Sequence, residues 1–342
     1  MSEQSAIIVG AVAGVFGVIA LGMFVRRVGW LTHQADDALL KLSINALFPV
    51  FILHVLLGNP ALENVGDAWL PPAVGFGCTA MGFAVGAALA WAVGPKIGLN
   101  TVGKRRAFAV AVGMFNYGYV PIPLVERLFS PTDGGETLGV LLVHNVGVDV
   151  AMWSLGVMIV SGGLSAAGLK KVLNMPLAAI VVALLLNVTG VPGWLNGLDG
   201  VGGGAVSASK AFGALVGATA IPFALLLVGA TSMDELRKAD FKEGWGVVGA
   251  GMALRLGVLP VGFLALAWAL GPGATGWGSL ELRRVIAVEA SMPSALFPVL
   301  LARLYGADPG TAMRVALSTA AAGLVTIPLW LSFGLKWLGL AA

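Results

Sequence analysis

Apolar residues gather in long runs separated by short polar turns, and each run is about the length of a membrane-crossing helix. At a rise of 1.5 Å per residue, about 20 helical residues cross a ~30 Å hydrocarbon layer. On that measure the pattern predicts ten helices, near 5–25, 38–57, 69–93, 104–129, 138–161, 174–191, 207–231, 244–270, 280–304 and 312–338. The turns are rich in Gly, Pro and Asp, as in Gly58-Asn59-Pro60 and Gly271-Pro272-Gly273. The first run lacks a preceding basic segment and is long enough to span, so it reads as a helix and not as a cleaved signal.

Composition settles the solvent. Of 342 residues, 58% are hydrophobic and 11% charged, and the mean hydropathy is +0.92. A soluble chain carries about 25% charged residues; this one has too few to cover a water-facing surface. A soluble enzyme, a disordered chain and a nucleic-acid binder are excluded, and the partner is the lipid bilayer. The basic residues sort by side. Fourteen lie on odd-numbered turns and their flanks, among them Arg26, Arg27, Lys104, Arg105 and Arg106; five lie on the other side, and Arg255 falls inside the eighth span. That positive-inside bias predicts a multi-pass protein of the cell (inner) membrane with both termini extracytoplasmic. The net charge of +3 follows from it and needs no anionic partner. The 49 glycines are about twice the usual ~7% share, as close helix packing in lipid requires. The single cysteine, Cys78, and three scattered histidines (His33, His54, His144) show no metal-ligand spacing, so no metal and no cofactor are expected.

The two halves resemble each other. Arg105-Arg106-Ala107-Phe108-Ala109-Val110-Ala111-Val112-Gly113-Met114 matches Arg283-Arg284-Val285-Ile286-Ala287-Val288-Glu289-Ala290-Ser291-Met292 at five of ten positions. Leu124 to Phe129 answers Leu300 to Tyr305, and Pro49 answers Pro222, at closely similar offsets. The predicted organisation is a first five-helix repeat over 1–161, a short cytoplasmic connection at 162–173, and a second repeat over 174–342. Five is odd, so the second repeat is inverted. This explains why Arg283 and Arg284 lie on the side poor in positive charge. Inverted repeats with a binding site between them mark secondary transporters.

Polar chemistry collects at two predicted breaks. The fourth span reads Phe115-Asn116-Tyr117-Gly118-Tyr119-Val120-Pro121-Ile122-Pro123, and the ninth carries Ser291-Met292-Pro293-Ser294 at nearly the same depth. Proline removes an amide donor and disfavours helix in the residue before it. A lipid-embedded break is tolerated only where protein or a cavity satisfies the freed groups. Three ionisable residues lie well inside spans: Asp149, Arg255 and Glu289. Each unpaired charge costs at least ~2.5–3.5 kcal/mol there, so each should meet a partner or a water-filled cavity. Glu289 precedes Pro293 by one turn. Asp149 follows Asn145 by one turn, beside His144. The two acids either couple transport to a proton or sodium ion, or cap freed amides and pair with Arg255. In the second span, Asn45 either binds a substrate or satisfies the carbonyl freed by Pro49. Tyr117 and Tyr119 either line a pocket or pack as ordinary aromatics. Asp36 and Asp37 read as helix N-terminal caps, and residues 234–243 as a solvated connection.

Four stretches resemble the auxin efflux carrier family, which includes the plant PIN-type carriers and bacterial permeases. They are Leu42-Ser43-Ile44-Asn45-Ala46-Leu47-Phe48-Pro49, the Asn116-Tyr117-Gly118 to Pro121/Pro123 break, Arg255-Leu256-Gly257-Val258-Leu259-Pro260, and Ser291-Met292-Pro293-Ser294 running on to Tyr305-Gly306-Ala307-Asp308-Pro309. The resemblance implies an all-α fold of two inverted five-helix repeats, akin to bile-acid symporters and sodium/proton antiporters. Helices 4 and 9 would cross at Pro121 or Pro123 and Pro293, beside a scaffold domain and with elevator-like motion; Asn116 would be the helix-4 polar ligand. PIN-type carriers have an asparagine beside the helix-9 proline where this chain has Ser291 and Ser294, which speaks against auxin. Bacterial members imply organic anions such as dicarboxylates, and the family leaves a homodimer open.

The expected function is therefore a secondary permease for a small organic anion. Its predicted substrate group is Asn45, Asn116, Tyr117, Gly118, Tyr119, Pro121, Pro123, Asn145, Ser291, Met292, Pro293 and Ser294, with Glu289 and Asp149 as coupling candidates. No Gly-x-x-x-x-Gly-Lys-[Ser/Thr] motif supplies ATP, and no catalytic arrangement of Ser/His, paired Asp or His-Glu-x-x-His appears, so an enzyme is not expected. The alternative is a transporter-like sensor that binds a ligand without moving it.

Overall fold

A computed structural model describes residues 3–59, 69–133, 135–163, 175–238, 244–272 and 279–340. Helix occupies each of the ten predicted stretches. The first is α1 (Glu3–Arg27). The second is α2 (His33–Leu42) and α3 (Phe48–Leu56), joined by a π turn at Ser43–Leu47. The third is α4 (Leu70–Val93). The fourth is split into α5 (Val102–Gly113) and α6 (Pro121–Leu128). One turn, α7 (Ser130–Asp133), leads to α8 (Glu136–Ala151) and α9 (Val157–Ser161), continuous through a π turn at Met152–Gly156. Next come α10 (Met175–Val188), the short α11 (Val191–Asn196) and the long α12 (Gly200–Lys238). α13 (Trp245–Ala253) and α14 (Leu259–Leu270) form one rod through a π turn at Leu254–Val258. The ninth stretch is split again into α15 (Ser279–Ser291) and α16 (Phe297–Leu304), and α17 (Pro309–Trp337) is the tenth.

Among the described residues, six uninterrupted rods are long and apolar enough to cross a bilayer: Ala6–Arg27, Leu70–Ile97, Glu136–Ser161, Gly202–Asp234, Trp245–Leu270 and Pro309–Trp337. The chain is an all-α polytopic membrane protein. α12 is longer than the predicted 207–231 run, because the glycine-rich start that reads as a loop by composition is helical. The predicted connection at 162–173 lies outside the described residues from residue 164 onward, as do residues 239–243 of the predicted loop at 234–243.

Proline places the irregular turns. Pro260 has no N–H to give the carbonyl of Leu256, and the indole Nε1–H of Trp330 in α17 supplies that bond instead, at 2.6 Å. Before Pro49 the ladder slips to i→i−5, with the Phe48 N–H donating to the Ser43 carbonyl. At each break the second half starts on proline, Pro121 for α6 and Pro298 near the start of α16, where the missing donor is one that has no partner anyway.

Two bundles result. α1, α3, α10 and α12 pack together; α4, α5, α8, α13 to α15 and α17 form the other group, with α6 and α16 attached to it. The two groups meet mainly where α1 lies on α6 and α17. Glycine permits the closest crossings. In the first group, Gly22 of α1 faces the Leu226 carbonyl, and Gly229 of α12 faces the Ile19 carbonyl, each so closely that no Cβ fits. In the second, Gly75 of α4 lies on the His144 carbonyl and Gly147 of α8 on the Pro72 carbonyl, with the same consequence. Such contacts bring backbones together where the hydrophobic effect gives helices no reason to associate.

Arginines hold the helix ends. Arg105 donates from Nε to the Leu99 carbonyl just beyond α4 (3.1 Å), and its predicted counterpart Arg283 donates from Nε to Ala267 in the last turn of α14 (2.9 Å) and from Nη2 to Leu338 beyond α17 (3.1 Å). A cation at a helix C-terminus satisfies free carbonyls and complements the dipole. In the first bundle, buried Arg26 pairs with Asp36 and with Asp234 of α12 (3.3 Å). Asp36 is thus an ion-pair partner and not the simple cap expected of it, and Asp234 is a buried tie and not part of a solvated loop.

Gly147→Val is expected to lower stability by about 3 kcal/mol or more, since the opposing carbonyl belongs to a packed helix and cannot retreat. Gly249→Ala, in an exposed helical position with nothing within 4 Å of a new Cβ, is expected to stabilise by about 0.5–1 kcal/mol. Thermal denaturation in detergent, followed by the loss of monodisperse protein, measures both.

Candidate functional site

The two breaks pair with each other. α5 ends at Gly113 and the chain runs extended through Met114 and Phe115; α15 ends at Ser291 and runs extended through Pro293. They meet as an antiparallel bridge between Phe115 and Ser294. The Asn116 N–H donates to the Pro293 carbonyl (2.8 Å), and the Ala295 N–H donates to the Met114 carbonyl (2.9 Å). Backbone groups freed by proline thus satisfy one another where no water is at hand.

Arg255, in the π turn of the eighth stretch, holds this crossing from behind. It is completely buried. Nε donates to the Met292 carbonyl (2.9 Å) and Nη2 to the Glu289 carbonyl (3.1 Å), which closes the C-terminal end of α15. The guanidinium lies over the Phe115 ring (5.2 Å) and the Phe263 ring (5.3 Å), a placement that repays part of its desolvation. One side chain therefore grips both breaks. The Ser294 N–H donates to the Thr319 hydroxyl (3.1 Å), which anchors the second break to α17.

The first break turns its polar edge outward. Asn116, Tyr117, Gly118 and Tyr119 are half-buried, whereas Ser291, Met292, Pro293 and Ser294 are buried. Asn145 of α8 donates from Nδ2 to the Tyr117 carbonyl (2.7 Å), and the Tyr117 hydroxyl donates to Asp149 Oδ1 (2.6 Å). Asn116 Oδ1 accepts from the Val120 N–H at 3.4 Å. The Tyr119 ring meets the edge of Phe48 in α3, with centroids 6.1 Å apart, so the first bundle touches the first break. Gly118 opens onto space: a Cβ there would meet nothing within 4 Å. Among the described residues no hydrogen bond engages the amide N–H of Tyr117, Gly118 or Tyr119.

The predicted group is thus largely brought together: Asn116 to Tyr119 and Asp149 half-buried, with Asn145 and Met292 to Ser294 buried behind them. Pro121 and Pro123 lie in the first turn of α6. The Ser291 hydroxyl is spent on its own helix, donating to the Val288 carbonyl (2.6 Å). Asn45 is exposed and donates to the Lys41 carbonyl (3.0 Å), a bond that neither expectation for it foresaw; the π turn beside it disturbs the ordinary ladder. Glu289 is 1% exposed and neither carboxylate oxygen has a hydrogen-bond partner, and it makes no ion pair with Arg255 within the described residues. Arg255, Phe115 and Thr319 were not in the predicted site. The available signal for Arg255 was its place inside an apolar span just before Pro260.

The His33, Asp36 and Asp234 side chains form the one cluster of metal-ligand type among the described residues. Arg26 contacts both carboxylates, so its guanidinium already supplies the positive charge a metal ion would bring. Two grooves of about 300 and 310 Å³, one lined by residues such as Leu21, Val25 and Phe223 and the other by Val12, Leu324 and Pro328, are apolar and lie away from the crossing.

Residues 7–167 match the family described as membrane transport protein. Over 323 residues the chain is 26% identical to an uncharacterized transporter of Methanothermobacter thermautotrophicus, covering 93% of this chain and 96% of the relative. The match therefore runs through both breaks and both bundles.

Arg255→Ala leaves the buried Met292 carbonyl without a donor and the Glu289 carbonyl with only the Met292 N–H (3.2 Å), and is expected to cost about 1–3 kcal/mol of stability. Arg255→Lys keeps the charge but loses the fork and the flat stacking surface, and should recover less than half of that loss. Thermal unfolding of the three proteins in one detergent decides it.

Proposed function

We infer that this chain, a membrane transporter belonging to the membrane transport protein family, is a secondary permease for a small organic anion held at the crossing of its two broken helices. The observation that carries this reading is the run of unengaged amides at Tyr117, Gly118 and Tyr119 on the accessible face of the first break. A carboxylate accepts well from such a turn, and the positive end of the α6 dipole lies next to it. Asn116 and Asn145 would hold the turn in shape, and Tyr119 with Phe48 would give the recess an apolar wall for the body of the substrate.

Alternating access is proposed to occur by an elevator-like movement between the two bundles. The bundle of α4, α5, α8, α13 to α15 and α17 contains the crossing and the clamp of Arg255, so it would travel as a unit. The contact of α1 with α6 and α17 would be the sliding surface. No nucleotide motif is present, so a gradient or the membrane potential would supply the energy. The bias of lysine and arginine supports an inner-membrane position with both termini extracytoplasmic.

Proteoliposomes are tested for saturable uptake of lactate, succinate, malate, citrate and indole-3-acetate. At least one acid is expected to be taken up, with Asn116→Ala and Pro293→Ala each reducing uptake tenfold or more. Gly118→Val should abolish binding with little loss of thermal stability, because the added atoms enter open space. Uptake unaffected by all three changes would reject the site; binding in detergent without any flux would make the protein a sensor.

A further inference from the structure

The recess contains an acid that an anion site does not want. Asp149 is half-buried, and its Oδ1 accepts from the hydroxyl of Tyr117, the residue that heads the run of free amides. Among the described residues no cationic side chain forms an ion pair with it. Arg255, the cation of the crossing, is turned to the Glu289 and Met292 carbonyls and closed in by Phe115 and Phe263. A substrate carboxylate on the Tyr117–Tyr119 amides and an ionised Asp149 would therefore be like charges in a poorly hydrated recess with no counter-charge between them. Such repulsion is weakly screened away from bulk water.

Resting on the anion reading above, we propose that the carrier moves its carboxylate together with one proton, and that Asp149 is the residue that takes up and releases it. The geometry offers a seat: Tyr117 occupies Oδ1, which leaves Oδ2 to be protonated while the Tyr117 bond persists. Loading adds one proton to the Asp149 carboxylate on the side where the recess is open; unloading returns it on the other side. No bond of the substrate is made or broken, and one proton accompanies one carboxylate.

The other titratable groups around Asp149 do not replace it. Tyr117 and Tyr119, from the break, are phenols that stay neutral near pH 7. His144, on the same helix, is wholly buried with Nδ1 against Asn145 Oδ1 (3.3 Å). Glu289, from α15, is sealed from solvent. Sodium is the less suitable ion, since hard cations collect several oxygen ligands and Asp149 offers one free oxygen beside a hydroxyl whose hydrogen points at the other.

The experiment uses the full chain in proteoliposomes, with the five acids named above and protein-free vesicles as the blank. An inward proton gradient of one pH unit should drive accumulation of a monocarboxylate by up to about tenfold, and an inward sodium gradient at equal pH should not. Asp149→Asn is expected to lose this accumulation while still exchanging labelled for unlabelled acid, which shows that it is folded. Tyr117→Phe should displace the pH midpoint of uptake, a readout that a purely structural role would leave in place. Proton-driven accumulation by Asp149→Asn equal to the parent's, or accumulation driven by sodium alone, overturns the proposal and leaves the permease reading standing. Failure of the parent to take up any of the acids instead removes the permease reading, and the proposal with it.

Discussion

A guanidinium with no exposed surface holds the centre of this molecule. Arg255 closes the end of α15 through two carbonyls and lies flat against Phe115, a residue of the opposite break. An isolated charge at this depth would cost several kcal/mol. Here two of its donor nitrogens meet the Glu289 and Met292 carbonyls at the end of α15, and the faces of Phe115 and Phe263 lie beside the cation. Without it, two irregular strands would bring unsatisfied backbone groups together inside a membrane. With it, the antiparallel bridge between Met114–Asn116 and Pro293–Ala295 becomes a stable substitute for helix.

That substitution makes a site possible. Regular helix hides its amides; only where the ladder stops can backbone donors face a ligand. The two breaks share the task unequally. The second is buried, with the Ser291 hydroxyl committed to the Val288 carbonyl and the Ser294 N–H to Thr319. The first keeps Asn116 to Tyr119 half-exposed, with Tyr117 tied down at its carbonyl by Asn145 and at its hydroxyl by Asp149.

Around the crossing, glycine decides which helices pack most closely. The contacts of Gly22 and Gly229 in one bundle, and of Gly75 and Gly147 in the other, bring backbones so close that no Cβ fits. Part of the unusual glycine content belongs here, at crossings within bundles, and Gly118 is the glycine of the first break itself. Between the bundles the contact narrows mainly to α1 against α6 and α17.

Much of this was legible in the sequence, because membrane solvation imposes its own spacing. Apolar runs of span length placed all ten helical stretches, and prolines at 121, 123 and 293 marked both breaks, since a missing N–H is a property of the residue itself. Asn145 and Asp149 were placed on one helix face from their spacing, whereas Asn116 was singled out by its place in the first break and by the family resemblance. Other features depended on what lies opposite. Neither the exposed position of Asn45 nor the ion pairing of Asp36 and Asp234 with Arg26 follows from local pattern, because a π turn and a neighbouring helix decide them. The sequence by itself determined that the chain lives in the bilayer, where its helices stop, and which polar residues lie deep inside. Only the tertiary structure decided which break faces the recess, which acid shares it, and that Arg255 spends its donors on backbone carbonyls and not on Glu289. The physical reason is that a hydrogen bond requires two groups within about 3 Å, and residues 37 positions apart acquire that proximity only when the helices pack.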